Sequence, residues 1–248
     1  MVVKNKKQDI TMFFPAYNEV ENIPSLLASA RRVLKTYARK GEILVVVYEG
    51  STDGTISLVK EYEKRDKRIR LVLQPKDKRG IGYAKKLGFQ AAKYPFIFYA
   101  DSDNQFKLDE FSKFAPYIGT YDIIAGYRLK RQDPKMRILI SKLYNMMQRI
   151  LMGAKERDLD CAFRLVSKKV IDNISLNCNT GLATTELLVK ARKKRFTIKE
   201  VGVNHYPRIF GKPVFSLEIG LNLPKPKVVW DIVKEMINLW VELHLRRG

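Results

Sequence analysis

An α/β fold built on an open, mostly parallel sheet is what this sequence predicts, and three observations carry that reading. Strand-like and helix-like segments alternate through the first half of the chain, the signature of repeated βαβ units with right-handed crossovers. Ile43 to Val47 and Phe96 to Tyr99 are continuous apolar runs, as expected of parallel strands covered on both faces. Several of these runs end abruptly in polar loops, and ligands of such sheets bind beyond the carboxyl ends of the strands.

The elements follow in order. Ile10 to Phe14 reads as a first strand, stopped by Pro15. Asn22, Pro24 and Ser25 signal the start of a helix that carries Leu26, Leu27, Ala30, Val33 and Leu34 at helical spacing and ends at Gly41. Ile43 to Val47 is the second strand, and Thr52, Asp53 and Thr55 are each suited to cap the helix after it. Ile69 to Leu73 is a third strand. Gly80 to Lys93 is a helix with Ala84, Leu87, Gly88, Ala91 and Ala92 on a small packing face. Its Gly80-Ile81-Gly82 is not a dinucleotide fingerprint, because the third glycine is misplaced and no strand directly precedes it. Phe96 to Tyr99 is the fourth strand and Tyr121 to Ala125 another. Pro134 to Gly153 is a long amphipathic helix whose apolar arc is too wide for an ordinary surface helix. A helix around Glu186 to Arg195 and a strand at Val201 to Val203 come next. Pro224-Lys225-Pro226-Lys227 then breaks the chain before a last helix, Val228 to Arg247.

The chain has 248 residues, 46% of them hydrophobic, enough to bury a sizeable core. Lys and Arg number 47 against 26 Asp and Glu, a formal charge of +21. Such an excess points to an anionic partner: nucleic acid, anionic lipid or a phosphorylated substrate. No helix-turn-helix, zinc or aromatic RNA-binding pattern supports nucleic acid. The two cysteines, Cys161 and Cys178, form no framework and no metal spacing, which suits a reducing compartment. No apolar run reaches the roughly 18–20 residues of a membrane span, and the basic start lacks the hydrophobic segment of a secretory signal.

The stretch with the most chemistry is Asp101-Ser102-Asp103-Asn104-Gln105, directly after the fourth strand. If it stays extended, the oxygen-bearing side chains of Asp101, Asp103 and Gln105 project to one side. Hard oxygens placed together suit a divalent cation such as Mg²⁺ that also takes substrate phosphates. The competing reading is a plain turn, since Asp, Ser and Asn are common loop formers.

Four motifs in order, Pro15-Ala16-Tyr17-Asn18-Glu19, Glu49-Gly50-Ser51-Thr52-Asp53-Gly54-Thr55, Arg79-Gly80-Ile81-Gly82 and Asp101 to Gln105, resemble glycosyltransferase family 2. The resemblance implies a GT-A fold, a nucleotide-binding α/β domain whose Asp-x-Asp holds Mg²⁺ or Mn²⁺ on the donor diphosphate. One departure stands out: the family usually has two aspartates where this chain has Tyr48-Glu49. Further on, Asp158-Leu159-Asp160-Cys161-Ala162-Phe163-Arg164 and Pro207-Arg208-Ile209-Phe210-Gly211 are similar to the dolichyl- or polyprenyl-phosphate mannose and glucose synthase branch.

Carried onto matching positions, that resemblance implies Asp103 and Gln105, with Asp101, as metal ligands. Pro15, Tyr17, Glu19, Val47, Glu49, Asp101 and Ser102 are implied for the nucleotide pocket. Arg208 and Lys212 fall on the donor diphosphate, and Arg128, Arg137 and Ser141 on the phosphate of a lipid acceptor. Asp158, in the active-site motif, acts with Arg128 and Arg208 or is instead a carboxylate paired with Arg157 or Arg164. The implied reaction is inverting transfer of a hexose, mannose first, from GDP-mannose or UDP-glucose to a polyprenyl or dolichyl phosphate. A soluble or polysaccharide acceptor is the alternative. Residues 1–213 are expected to form the catalytic domain and residues 214–248 an amphipathic tail. With two tryptophans on its apolar side, that tail suits an anionic membrane surface. The expected location is peripheral, on the cytoplasmic face of a membrane, with or without a membrane-anchoring partner protein.

Overall fold

A computed structural model describes residues 7–129, 135–211 and 226–245, with side chains from 138 onward in the second span and from 229 onward in the third. The strands are β1 (Gln8–Ala16), β2 (Ala38–Tyr48), β3 (Ile69–Gln74), β4 (Phe96–Tyr99), β5 (Ile123–Arg128), β6 (Arg164–Ser167) and β7 (Ile198–Val203). The helices are α1 (Ile23–Tyr37), α2 (Thr55–Arg65), α3 (Ile81–Ala91), α4 (Lys135–Met152), α5 (Lys168–Asn173), α6 (Ala183–Lys193) and α7 (Pro226–His244). Two 3-10 turns, Leu108–Lys113 and Ala115–Tyr117, follow β4.

The strands form one seven-stranded sheet in the order β3-β2-β1-β4-β6-β5-β7. All neighbours pair in parallel except β6, which runs antiparallel to both β4 and β5. Six strands therefore point their carboxyl ends to one edge, and the segment that enters β6 starts from that same edge. This topology gathers Ala16, Tyr48, Gln74, Tyr99 and Arg128, the loop after Val203 and residues 158–163 along one rim.

The side-chain period of two splits the core between the two faces of the sheet. Ile10, Met12, Phe14, Ile43, Val45, Val47 and Phe98 lie on the α1 and α2 side, and Phe13, Leu44, Val46, Ile97 and Tyr99 face α3 and α6. Phe98 packs edge-on against Phe111, Phe114 and Phe163, with ring centroids 5.3, 6.3 and 4.7 Å away. That aromatic cluster anchors the strand whose end carries Asp101, and truncating one such ring to alanine costs about 3–5 kcal/mol.

Several boundaries differ from the sequence expectation. Helix α1 stops at Tyr37, before Gly41, because Ala38 is already extended and begins β2. None of Thr52, Asp53 and Thr55 is the N-cap of α2: that position is Gly54 at φ 91°, while Asp53 accepts from the Thr55 amide at 3.0 Å. Strand β6 and helix α5 were not expected at all. The last helix, α7, buries Met236, Leu239 and Leu243. Two of its carboxylates turn toward the body of the protein. Glu235 accepts from the Asn179 and Thr180 amides at 2.7 and 3.1 Å, and Glu242 pairs with Lys190 at 2.7 Å. Among the described residues no helix is long and apolar enough to cross a membrane.

Candidate functional site

The first two loops of the rim are laced together before any ligand is considered. After β1 the chain turns at Asn18, a non-glycine residue at φ 53°, and the Asn18 Oδ1 accepts from the Thr52 amide at 2.8 Å. The Glu19 amide donates to Thr55 Oγ1 and the Val20 amide to Asp53 Oδ2, both at 2.9 Å. Ser51 to Thr55 is thus mainly a scaffold for the 16–20 turn. The Ser102 hydroxyl donates to the Pro15 carbonyl at 2.8 Å and ties the end of β4 to that of β1. Pro15 and Ser102 are buried framework, and Val47 is fully buried in the core beneath the rim. Of these three sequence candidates for a nucleotide pocket, Val47 is left with only its main chain to offer a ligand.

The stretch after β4 does not stay extended. Asn104 sits at φ 57° and its side-chain Nδ2 donates to the Asn22 carbonyl at 3.1 Å and to Ser25 Oγ at 2.9 Å. The Gln105 amide N–H donates to Asp103 Oδ1 at 3.1 Å, an Asx turn, and Gln105 Nε2 donates to the Tyr206 carbonyl at 3.1 Å. So the chain turns, as the plainer sequence reading had it, and the turn still leaves Asp101 and Asp103 close together. Burial, then repulsion from Asp103, pushes the Asp101 carboxyl up to about 6, against the pull of Lys85, Arg128 and Arg208. Two carboxylates crowded together are a donor set that a hard divalent cation relieves. Among the described residues no group of three or more His, Cys, Asp or Glu gathers to hold a metal alone. These two carboxylates therefore fit a metal that completes its shell with ligand phosphate oxygens.

Arg208 lies across this pair. Its NH2 donates to Glu19 Oε1 at 3.0 Å and to Asp103 Oδ2 at 3.1 Å. Burial raises the Glu19 carboxyl, offset by the Arg208 charge and the Asn22 hydrogen bond. Residues expected in different roles, Glu19, Asp103 and Arg208, thus meet in one cluster. Lys212 and the Arg137 side chain, both expected at the site, lie outside the described residues.

At the end of β5, Arg128 Nε and NH2 each donate to Asp158 at 2.7 Å, and the Arg128 amide donates to it at 3.1 Å. The Asp158 side chain therefore pairs with neither Arg157 nor Arg164; Arg164 instead donates to the main-chain carbonyls of Asp158 and Leu159, both at 3.0 Å. The Ser141 hydroxyl donates to Asp160 at 2.5 Å, beside Asn145 Nδ2 at 2.8 Å. Arg128 and Ser141, the expected acceptor-phosphate residues, are thus each held by a carboxylate of the 158–160 segment. Asp160 and Asn145 went unassigned in the sequence, although Asp160 stands two residues from Asp158. Lys85 was also missed, hidden on the small face of α3. It is buried, donates to Thr184 Oγ1 at 2.7 Å and lies 5.4 Å from the Tyr99 ring centroid. Burial brings its ammonium down to about 8.

Beyond β2 and β3, Tyr17 and Tyr48 stand edge to face at 5.6 Å, with the Arg79 guanidinium 5.6 and 6.0 Å from their ring centroids. Glu49 is placed beside them by its own amide, which donates to the Gln74 carbonyl at 2.9 Å.

Comparison with known proteins bears on the family and the fold. Residues 11–175 match the family model described as glycosyl transferase family 2. Among curated proteins, the chain is 27% identical over 217 residues to an undecaprenyl-phosphate 4-deoxy-4-formamido-L-arabinose transferase of Pectobacterium carotovorum, covering 87% of this chain. A protein of the same description from Salmonella choleraesuis is 26% identical over 216 residues, or 86% of this chain. The chain spans 65% and 64% of the length of these two relatives. Among solved structures, glucosyl-3-phosphoglycerate synthase from Mycobacterium tuberculosis in complex with Mn²⁺, UDP and phosphoglyceric acid superposes with a TM-score of 0.68 at 13% identity, covering 95% of this chain and 78% of that one. The same synthase with Mg²⁺ and UDP gives 0.66, again at 13% identity, with 97% and 81% covered. The sheet and its flanking helices have the GT-A architecture of these neighbours. The family match takes in most of β1, β2 to β6 and every motif through Arg164, and the chain belongs to glycosyl transferase family 2.

Proposed function

We propose that the protein is an inverting glycosyltransferase that moves a hexose, mannose ahead of glucose, from a nucleotide-sugar to a polyprenyl or dolichyl phosphate. The observation that carries this reading is the likeness, over 87% of the chain, to a transferase whose name states an undecaprenyl-phosphate acceptor. In the reaction the bond from the anomeric carbon to the donor diphosphate breaks, and the electron pair leaves with the diphosphate oxygen. An oxygen of the acceptor phosphate forms the new bond from the opposite face, which inverts the centre.

Asp101 and Asp103, with Gln105 beside them, would hold Mg²⁺ or Mn²⁺, which when bound supplies neutralising charge to the donor diphosphate. Arg208 supports the same end. Its guanidinium already faces the site through Glu19 and Asp103, and a diphosphate competes with those carboxylates for its N–H groups. Arg128 and Ser141, with Arg137 on the same segment, are proposed to receive the acceptor phosphate. A phosphate monoester is already ionised near neutral pH, so it needs little help from a base. In this account Asp158 aims Arg128 rather than removing a proton. Tyr17, Glu19 and Glu49 serve the nucleotide, and Lys212 the donor diphosphate.

The acceptor's tail sets where the reaction runs. We place residues 1–213 as the catalytic part and residues 214–248 as a tail at the anionic cytoplasmic surface of a membrane. Helix α7 supports this by its inverted faces. Glu235 and Glu242 dock inward while Trp230, Ile237 and Trp240 stay exposed, Trp230 at 59%. Helix α4 adds exposed Leu139, Leu143, Met146 and Ile150, the last at 72%. Apolar faces rimmed by Lys and Arg bind an anionic interface by buried area and charge together. The test is incubation with radiolabelled nucleotide-sugars and polyprenyl phosphate in vesicles, followed by organic extraction. Label must enter the organic phase only when polyprenyl phosphate is present; label that stays wholly aqueous rejects the reading.

A further inference from the structure

Gly80-Ile81-Gly82, which is no dinucleotide fingerprint, is where one backbone packs directly on another. The Gly82 amide donates to the Asn179 carbonyl at 2.8 Å. A Cβ on Gly82 would lie 2.6 Å from both the Asn179 carbonyl carbon and the Thr180 carbonyl oxygen, and one on Gly80, at φ 141°, would run into the Asn179 carbonyl oxygen. Lys86, one turn into α3, donates from Nζ to Asn179 Oδ1 at 2.7 Å and to the Asn177 carbonyl at 3.3 Å. Residues 177–180 thus form the seat for the start of α3. That seat is itself gripped by two carboxylates, which take four consecutive amides. Glu186, fully buried on α6, accepts from the Asn177 and Cys178 amides at 2.9 and 2.8 Å. Glu235, on α7, accepts from the Asn179 and Thr180 amides at 2.7 and 3.1 Å and from the Thr180 hydroxyl at 2.6 Å. The loop that precedes α3 is clamped from its other end, where the buried Gln74 donates from Nε2 to the Lys78 and Gly80 carbonyls at 2.6 and 2.9 Å. Arg79 projects from this loop over Tyr17.

We infer that Glu235 is a positioning residue for the donor site: from α7 it fixes the 179–180 backbone on which the first turn of α3 and the loop carrying Arg79 are set. This role rests on the donor-site reading given above and goes beyond it, because it makes the tail helix part of the frame of that site rather than an anchor alone. The groups to be held call for a carboxylate. Two adjacent amides and a hydroxyl are all donors here, and an ionised carboxylate is acceptor-only, with two oxygens to share among them. Charge-assisted bonds of this kind are stronger than neutral ones, so they hold the two peptides in one orientation. The glycines leave no slack across the contact. A displaced 179–180 backbone either loses the Gly82 bond or carries the first turn of α3 with it. Arg79 then moves too, since the Gly80 carbonyl beside it is tied both to Gln74 and to the Ala84 amide, the latter at 3.1 Å. Trp230, Ile237 and Trp240 lie on the opposite face of α7 from Glu235 and are exposed. One helix therefore joins the surface proposed to meet the membrane to the frame of the donor loop. Glu235 acts through the 179–180 backbone and touches no ligand itself.

Titration calorimetry of the full chain with GDP and with UDP, each in Mg²⁺, tests this alongside steady-state kinetics. Glu235→Ala should weaken nucleotide binding by about 5-fold or more, the lower end of typical coupling between two sites, and raise the nucleotide-sugar KM by a similar factor. The KM for polyprenyl phosphate should stay close to that of the unaltered protein. Glu235→Gln keeps one acceptor oxygen but turns an NH₂ group toward the remaining donors, so its nucleotide affinity should fall between the two. Glu242→Gln loosens α7 at Lys190 instead and serves as the control: it should leave nucleotide affinity unchanged even where it lowers the melting temperature as much. Gly82→Ala leaves α7 unaltered and opens the same contact from the other side. It should weaken the nucleotide as well, and adding Glu235→Ala to it should cost little more, because both changes act on one contact. Unchanged nucleotide affinity in Glu235→Ala, an equal loss in Glu242→Gln, or fully additive losses with Gly82→Ala each make Glu235 a docking residue of α7 only. Any of these overturns the inference and leaves the donor site standing. Should Glu235→Ala fail to fold, Glu235→Gln against Glu242→Gln decides by the same criteria. Binding of neither nucleotide by the unaltered protein overturns the donor-site reading, and the inference with it.

Discussion

Arg128 and Asp158 are joined by three hydrogen bonds to one carboxylate, two from the guanidinium at 2.7 Å and one from the Arg128 main chain at 3.1 Å. The side chains are 8% and 12% exposed, so the pair is largely out of water. Burial by itself lowers the Arg128 affinity for its proton, and Asp158 more than offsets this, leaving it raised. Removing one member strands a buried charge, which costs about 3–5 kcal/mol. Asp158→Asn is therefore expected to lower both melting temperature and turnover. The double change Arg128→Met with Asp158→Leu should recover much of the stability and none of the transfer. A stable Asp158→Asn protein with abolished turnover and intact binding of both substrates would instead give Asp158 a direct chemical role.

Metal dependence follows from the crowding of Asp101 and Asp103. Asp103→Ala should abolish transfer, with a modest effect on folding, because the change also releases Arg208 from a carboxylate that it contacts. Mg²⁺ should raise the melting temperature of the unaltered protein and leave that of the variant unmoved. Full activity in excess EDTA would refute metal dependence.

The exposed rings of α7 make a separable prediction. Trp230 and Trp240 are 59% and 39% exposed, so replacing both by alanine should cost less folding stability than truncating a core aromatic, about 3–5 kcal/mol. Co-sedimentation with anionic vesicles should fall clearly, and high salt should weaken binding of the unaltered protein. Unchanged sedimentation alongside a sharp loss of thermal stability would make the helix a core element only.

Acid stability has one identifiable contributor at Asp66. Arg68 bonds to it from both guanidinium and main chain and Arg31 adds a 2.9 Å contact, which together draw its carboxyl down to about 2 from 3.8. A lowered folded value means that its stabilisation is present above pH 3.8 and is lost as pH falls toward 2. Asp66→Asn should cost on the order of 1 kcal/mol at neutral pH, given the exposure of its partners, and nothing near pH 2. Denaturant titration across that range checks it; a difference that widens on acidification contradicts the assignment.

The long elements were legible because burial writes itself into the sequence. Val45 to Val47 and Phe98 to Tyr99 sit where their apolar runs placed them. Strand β6 was not legible. It has four residues, opens on a buried arginine and passes straight into α5 with no turn residue between. The start of β2 was masked by Arg39 and Lys40, whose polarity reads as loop. In the structure Arg39 instead crosses to Asp9 beside the start of β1 through contacts of 2.9 and 2.7 Å. At the site, the motifs named Asp101, Asp103, Glu19 and Arg208 but not their mutual contacts. Arg128, which bonds to Asp158, lies 30 residues away at the end of β5, whereas Arg157 and Arg164 are merely near in sequence. The amphipathic character of the tail was visible, but which way its glutamates faced depended on the 177–180 segment that they hold.

The claim that the acceptor is a lipid phosphate is tested most directly by offering two phosphates at once. Purified protein, Mg²⁺ and a radiolabelled nucleotide-sugar are mixed with polyprenyl phosphate in anionic vesicles and an equal amount of soluble 3-phosphoglycerate. The products are then separated into organic and aqueous phases. The account predicts label in the organic phase as a glycosyl phospholipid, lost with Asp103→Ala and reduced with Arg128→Ala. Label found only on the soluble phosphate would contradict it.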